Sequence, residues 1–245
     1  MEQDPIGDWS PGLQKAKTYE QLLLDIILGA LPPGGLIDER KLAARYRVGL
    51  AGVREALGRL ALEGLVVRRP RVGTMVAALD LREIEQAFEV RHLLEARSAG
   101  LAARNAREAD VAAITSAFEG AEAAIAAGDF RAMLAMDRAF HRAVAYATQN
   151  PTLARYLISL QNIATRFWIY AMERQNPEDQ LADVALHRAV GAAIAAGDPA
   201  AAEAAMSRVV GEPPSAYPPS RRPEVLAAKA RRSSRFPPVG RGWTE

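Results

Sequence analysis

Residues 53–76, VREALGRLALEGLVVRRPRVGTMV, decide the fold of the first third of the chain. Val53, Leu57 and Leu60 recur at helical spacing, and Gly64 stops the helix they predict. LVVRR (65–69) and TMVAA (74–78) then read as two short β runs joined by PRVG, a hairpin-like wing. Upstream, residues 16–29 predict a helix with Leu22, Leu23, Ile26 and Ile27 on one face and Gly29 as its stop. LPPGG (31–35) is a turn, because two prolines and two glycines cannot extend a helix. Asp38 is placed to cap the short helix ERKLAARY (39–46), and after a turn at 47–50 the segment 51–63 forms the next helix. Three helices followed by a basic wing predict a winged helix-turn-helix over residues 12–79.

Such a motif places the start of its second helix in the DNA major groove. Arg54 lies near that start, and Arg40 and Lys41 begin the preceding helix. Arg68, Arg69 and Arg71 line the wing, where Gly73 would let the backbone approach a phosphate closely. Arginine pairs bidentately with guanine, so Arg54 or Arg40 is suited to a base and the wing arginines to the backbone. A solvated helix face would carry similar charge; the docking positions favour double-stranded DNA as the partner. Charge is distributed accordingly. Residues 12–79 are net +5 (11 Lys and Arg against 6 Asp and Glu), residues 80–211 net −4 (13 against 17) and residues 212–245 net +4 (7 against 3).

The strings LPPGGLIDERKLA, VREALGRLALEGLV and RVGTMV together resemble the DNA-binding domain of the GntR family of bacterial transcription regulators. The resemblance implies DNA contacts from Arg40, Arg54 and the wing around Gly73. It also exposes a departure. Family members carry a Ser/Thr-Arg-x-Pro type string just before VREAL, whereas Gly49, Leu50, Ala51 and Gly52 stand here. The polar cap and one arginine are gone, and Gly52 weakens the helix start. A weaker or different operator is the expectation.

The chain has no cysteine, which excludes disulfides and thiolate metal sites. No stretch is long and apolar enough to span a bilayer, and MEQDPIGDWS lacks the basic and apolar regions of a signal peptide; a cytoplasmic protein is expected. Asp80 with Glu83 has the pattern of a capping box and opens a long helix to about Ala103. From there to Val210 the pattern is helical. AAIAAGD occurs at 123–129 and again at 192–198, each a glycine stop followed by an aspartate cap; Asn150-Pro151 and Asn176-Pro177 mark further breaks. About six helices follow, an all-α antiparallel bundle over 80–211. Residues 212–245, rich in Pro, Arg and Ser without a sustained apolar period, read as a disordered tail.

Within this bundle, Phe130, Met133, Leu134, Phe140 and Val144 form an apolar stripe that also carries Asp137 and His141, four residues apart and so on one face. His187 sits in a second stripe with Val184, Val190 and Ile194. Buried carboxylates and imidazoles need partners. An Asp–His pair satisfied within the core is one account of these residues; a site for zinc, nickel, manganese or iron is the other. FEVRHLLEARSAGLAA, DRAFHRAVAYATQNPTL and LHRAVGAAIAAGDPAAAEAAM resemble the FCD effector domain of the same family. That resemblance implies metal ligation by Asp137, His141 and His187, with Val209 standing where a fourth histidine is usual. It further implies a small organic-acid effector, with Arg91 facing the pocket; a surface ion pair with Glu95 is the alternative for Arg91. Arg166 and Trp168 are further candidates for the pocket wall. Where the last helix should continue, Gly211-Glu212-Pro213-Pro214 stops it.

The leading expectation is a homodimeric regulator, a repressor, whose operator affinity responds to the effector. A degraded regulator that keeps ligand binding but binds DNA weakly is an alternative, and a metal-dependent enzyme another. No further acid or base stands out near Asp137, His141 and His187, and no nucleophile motif or phosphate-cradling loop is present, so no enzymatic activity is expected.

Overall fold

The computed structural model describes residues 13–172 and 175–211. They form two compact units that divide between Asp80 and Leu81.

The first unit is built from α1 (Leu13–Ile27), α2 (Glu39–Tyr46), α3 (Leu50–Leu62), β1 (Val66–Arg69) and β2 (Gly73–Val76). Its core comprises Leu22, Leu23, Ile26 and Ile27 from α1, Leu42 from α2, Val53, Leu57 and Leu60 from α3, and Leu65, Val66 and Val76 from the wing. The apolar spacing that predicts these helices is the face they bury. Asp38 caps α2, its carboxylate accepting from the amides of Arg40 and Lys41 at 3.0 and 3.1 Å. Gly49 precedes α3 and offers no side-chain cap, as the lost Ser/Thr predicts. The strands pair antiparallel with Val66 opposite Val76 and Arg69 opposite Gly73. Residues 34–37 add hydrogen bonds to the outer edge of β2, where the Ile37 amide donates to the Thr74 carbonyl at 2.8 Å.

The second unit contains α4 (Leu81–Asn105), α5 (Glu108–Ser116), α6 (Ala121–Ala127), α7 (Phe130–Ala147), α8 (Pro151–Met172), α9 (Pro177–Ala195) and α10 (Pro199–Val210). These are seven helices among the described residues, against an expected six or so. The difference arises between Asn105 and Phe130, where alanine-rich sequence conceals two short helices separated by a turn at Gly120 (φ 81°). Both AAIAAGD strings behave as predicted. Gly128 and Gly197 take left-handed φ of 64° and 65°, and Asp129 and Asp198 cap α7 and α10. Asn176 caps α9, with Pro177 in its first turn. Helix α4 packs against α7, α8, α9 and α10, so residues on its inner face meet side chains from all four. The disorder expected for residues 212–245 lies outside the described residues.

Candidate functional site

In the first unit, α3 and the wing form a basic face. Arg40, Arg54, Arg68, Arg69 and Arg71 are all exposed. The Arg54 guanidinium donates through Nε to Glu39 at 2.8 Å, and Glu39 also accepts from Thr74 Oγ1 on β2 at 3.4 Å. One carboxylate from α2 thereby ties the first turns of α3 to the wing. Arg68 donates to the Arg54 carbonyl at 3.3 Å, a second tie. Arg71 (φ 64°) and Gly73 (φ 120°) are the positive-φ residues of the wing turn. A side chain at Gly73 would be strained by that backbone, whatever space surrounded it. Arg54, Arg68, Arg69, Gly73 and Thr74 line one open groove.

In the second unit, Asp137 and His141 on α7 meet His187 on α9. Asp137 Oδ1 lies 3.6 Å from His141 Nε2 and 3.6 Å from His187 Nε2. One ligand atom from each of the three falls within 4.8 Å of the others. Each imidazole is anchored by its other nitrogen. His141 Nδ1 is 2.9 Å from Glu95 Oε2, and His187 Nδ1 is 2.8 Å from the Asp183 carbonyl. The Asp183 carbonyl can only accept, so His187 donates to it through Nδ1, and the Nε2 atoms of both rings face Asp137. Phe118 and Phe140 wall the rings, with ring centroids 4.7 and 5.0 Å from that of His187. His187 Nε2 is buried and has no hydrogen-bond partner among the described residues. A nitrogen so placed suits a metal better than a closed Asp–His pair does, because 3.6 Å is too long for the hydrogen bond that would satisfy it. The donor set fits a divalent cation.

Electrostatics agree with that fit. Burial would raise the Asp137 carboxyl, but the His141 and His187 imidazoles and Arg91 hold it well below the usual carboxylate range. Burial would lower His187, and Asp137 and Asp183 push it up instead. A proton or a cation answers the same excess of negative charge. Glu95 is held down to about 2: burial opposes its charge, but Arg91, at 2.5 Å, and His141 overcome the penalty.

The structure changes three of the expectations. Arg91 does pair with Glu95, but the pair is buried, not on the surface, and Arg91 also lines the pocket. Further acids do stand near the histidines: Glu95 from α4 and Asp183 from α9. Glu95 is brought in from far away in sequence, whereas Asp183 was legible as a repeat of the Asp-x-x-x-His spacing. Asp137 itself is one third exposed rather than sealed in the core. The cavity has a volume of about 50 Å³, room for roughly one or two waters. Thr165, Gln180 and Asp183 add polar groups to its wall, and Val209 lines it too. Arg166 is buried on α8; the side chain of Trp168 lies outside the described residues. Among the described residues no helix is long and apolar enough to cross a membrane.

The family described as bacterial regulatory proteins, gntR family, matches residues 14–76, and the FCD domain matches residues 86–212. A probable D-xylose utilization operon transcriptional repressor of Paenarthrobacter nicotinovorans is 32% identical over 77% of this chain and 82% of its own length. The HTH-type transcriptional regulator LutR of Bacillus subtilis is 31% identical over 73% of this chain and 89% of its own. Among solved structures, Escherichia coli McbR/YncC shares the fold with a TM-score of 0.72, at 20% identity over 89% of this chain and 99% of that one. The chain therefore belongs to the GntR family of bacterial transcription regulators and carries that family's winged helix-turn-helix together with an FCD domain.

Proposed function

We propose that this regulator is a homodimeric repressor that binds a twofold operator through its α3 and wing face and releases it when a small organic acid enters the α7–α9 pocket. Arg54 reads a base, Arg40 assists at the start of α2, and Arg69, Arg71 and the Gly73 backbone hold phosphates. Asp137, His141 and His187 hold a divalent cation, which when bound supplies a Lewis-acidic docking point for an effector carboxylate. Arg91 borders the same cavity and contributes the positive charge such an anion favours. The observation that carries the pocket reading is the buried, unpartnered His187 Nε2 beside Asp137 and His141. The effector acts by preferring one of two states that differ in operator affinity. The domain boundaries that go with this reading are 12–79 for DNA binding and 80–211 for effector binding and dimerisation.

The test is an electrophoretic mobility shift on the DNA upstream of the protein's own gene. Retardation by the native chain, its loss with Arg54→Ala, and its reversal by a chelating hydroxy acid are expected. No retardation of that DNA at any concentration, from a folded dimer, would favour a regulator that has lost its operator.

A further inference from the structure

Asp183 stands beside Asp137, His141 and His187 in the wall of the cavity. On α9 it precedes His187 by four residues, the spacing with which Asp137 precedes His141 on α7. Each helix therefore presents a carboxylate and an imidazole on one face. Asp183 lines the same cavity as the three candidate ligands. Its carboxylate Oδ2 is 3.6 Å from His187 Nδ1. Among the described residues no donor hydrogen-bonds to that carboxylate, and the side chain is nearly half exposed. Arg91 is the cation of the cavity wall among the described residues, and its Nε is tied to Glu95. Asp137 and Asp183 flank His187, each with a carboxylate oxygen 3.6 Å from one of its two ring nitrogens. Val209, on α10, occupies the wall where it can offer no ligand atom.

We propose that Asp183 is the second carboxylate of the cation site, completing, directly or through one coordinated water, the coordination that Val209 cannot supply. The proposal rests on the metal reading of Asp137, His141 and His187. Asp183 lies outside the tight three-residue cluster, so a side-chain rotation or a bridging water carries it to the ion. Two carboxylates with two imidazoles make a harder donor set than one carboxylate with three imidazoles. The site should accordingly favour manganese, relative to zinc, more than a site with histidine at position 209 would.

The experiment uses the full chain, stripped with chelator and then titrated with Zn²⁺ or Mn²⁺ in competition with a chromophoric chelator. Melting curves are recorded with and without each ion. Asp183→Asn should weaken both ions at least roughly tenfold, the range seen when groups that support metal ligands are removed, with the greater loss for manganese. Its metal-free melting temperature should match the native chain. Val209→His should raise zinc affinity and restore it in the Asp183→Asn background. Affinities within twofold of native for Asp183→Asn would overturn the proposal while leaving the three-ligand reading intact. Failure of the native chain to bind either ion would overturn both.

Discussion

The two units handle charge in opposite ways. In the DNA-binding unit, Arg40, Arg54, Arg68, Arg69 and Arg71 lie on the surface, and Arg54 is tied to a carboxylate that is itself partly exposed. In the helical unit, Arg91, Glu95, His141 and His187 are buried and joined end to end, from Arg91 to Glu95 to His141, with Asp137 linking the two imidazoles. Exposed charge costs little to keep and little to remove, since water screens it. Buried charge is held only because each group has its partner. The first unit can thus change its arginines for function at small cost to folding. In the second, Arg91, His141 and His187 line the pocket and are buried as well, so ligand binding there is coupled to stability.

Glu95→Ala is the sharpest way to break this contrast. It leaves Arg91 and His141 buried without their shared carboxylate, and a loss of about 3–5 kcal/mol in stability is expected from denaturant unfolding. A loss no larger than that of a surface substitution would mean the network contributes nothing to the fold. Next comes the metal. Asp137→Ala, or chelation of the native chain, should abolish the metal-dependent gain in stability, which at an ion concentration a hundredfold above Kd is about 2.7 kcal/mol. Calorimetric melting with and without ion checks it, and the ion should no longer move the melting temperature of the variant.

These residues also divide by how legible they were. The winged unit could be read almost whole, because each of its elements is bounded by a local signal: Asp38 as a cap, Gly64 as a stop, PRVG between alternating runs. Asp137, His141 and His187 could be picked out because they interrupt apolar stripes. Glu95 could not. It sits on α4, more than forty residues from His141, and only the packing of α4 against α7 brings it to the Nδ1 of that ring. The Arg91–Glu95 pair was visible as an i, i+4 spacing, but such spacing does not say whether a helix face is wet or dry. Two short helices before Phe130 were missed for a related reason: alanine is apolar enough for a core and small enough for a surface, so AEAAIAA carries almost no period.

A smaller effect, on binding rather than folding, is expected at the exposed face. Arg54→Ala should reduce operator affinity by about 1–3 kcal/mol if it reads a base, and leave stability within roughly 0.5 kcal/mol of native. Arg69→Ala and Arg71→Ala should weaken binding on all sequences alike and each lower the salt slope by about 1. Salt-dependent titrations of operator and scrambled duplexes separate the two classes. Equal losses on both duplexes for Arg54→Ala would move it to the phosphate class.

The smallest effect is expected where the chain departs from its family, at the start of α3. Gly52 lies in the first turn of that helix with ordinary negative φ, and a Cβ built there meets nothing within 4 Å. Neither backbone nor packing requires glycine. Gly52→Ala should therefore stabilise the protein, by at most about 1 kcal/mol, through helix propensity and a less disordered unfolded chain. The effect on DNA tells what the glycine is for. Affinity unchanged, with Leu50→Arg raising it, would mean that this helix start has simply lost a contact. A fall in affinity for Gly52→Ala despite the gain in stability would mean that DNA packs against the bare backbone at this turn. The weaker start of α3 would then be a feature of operator recognition, held at a small cost to the fold of the unit best able to bear it.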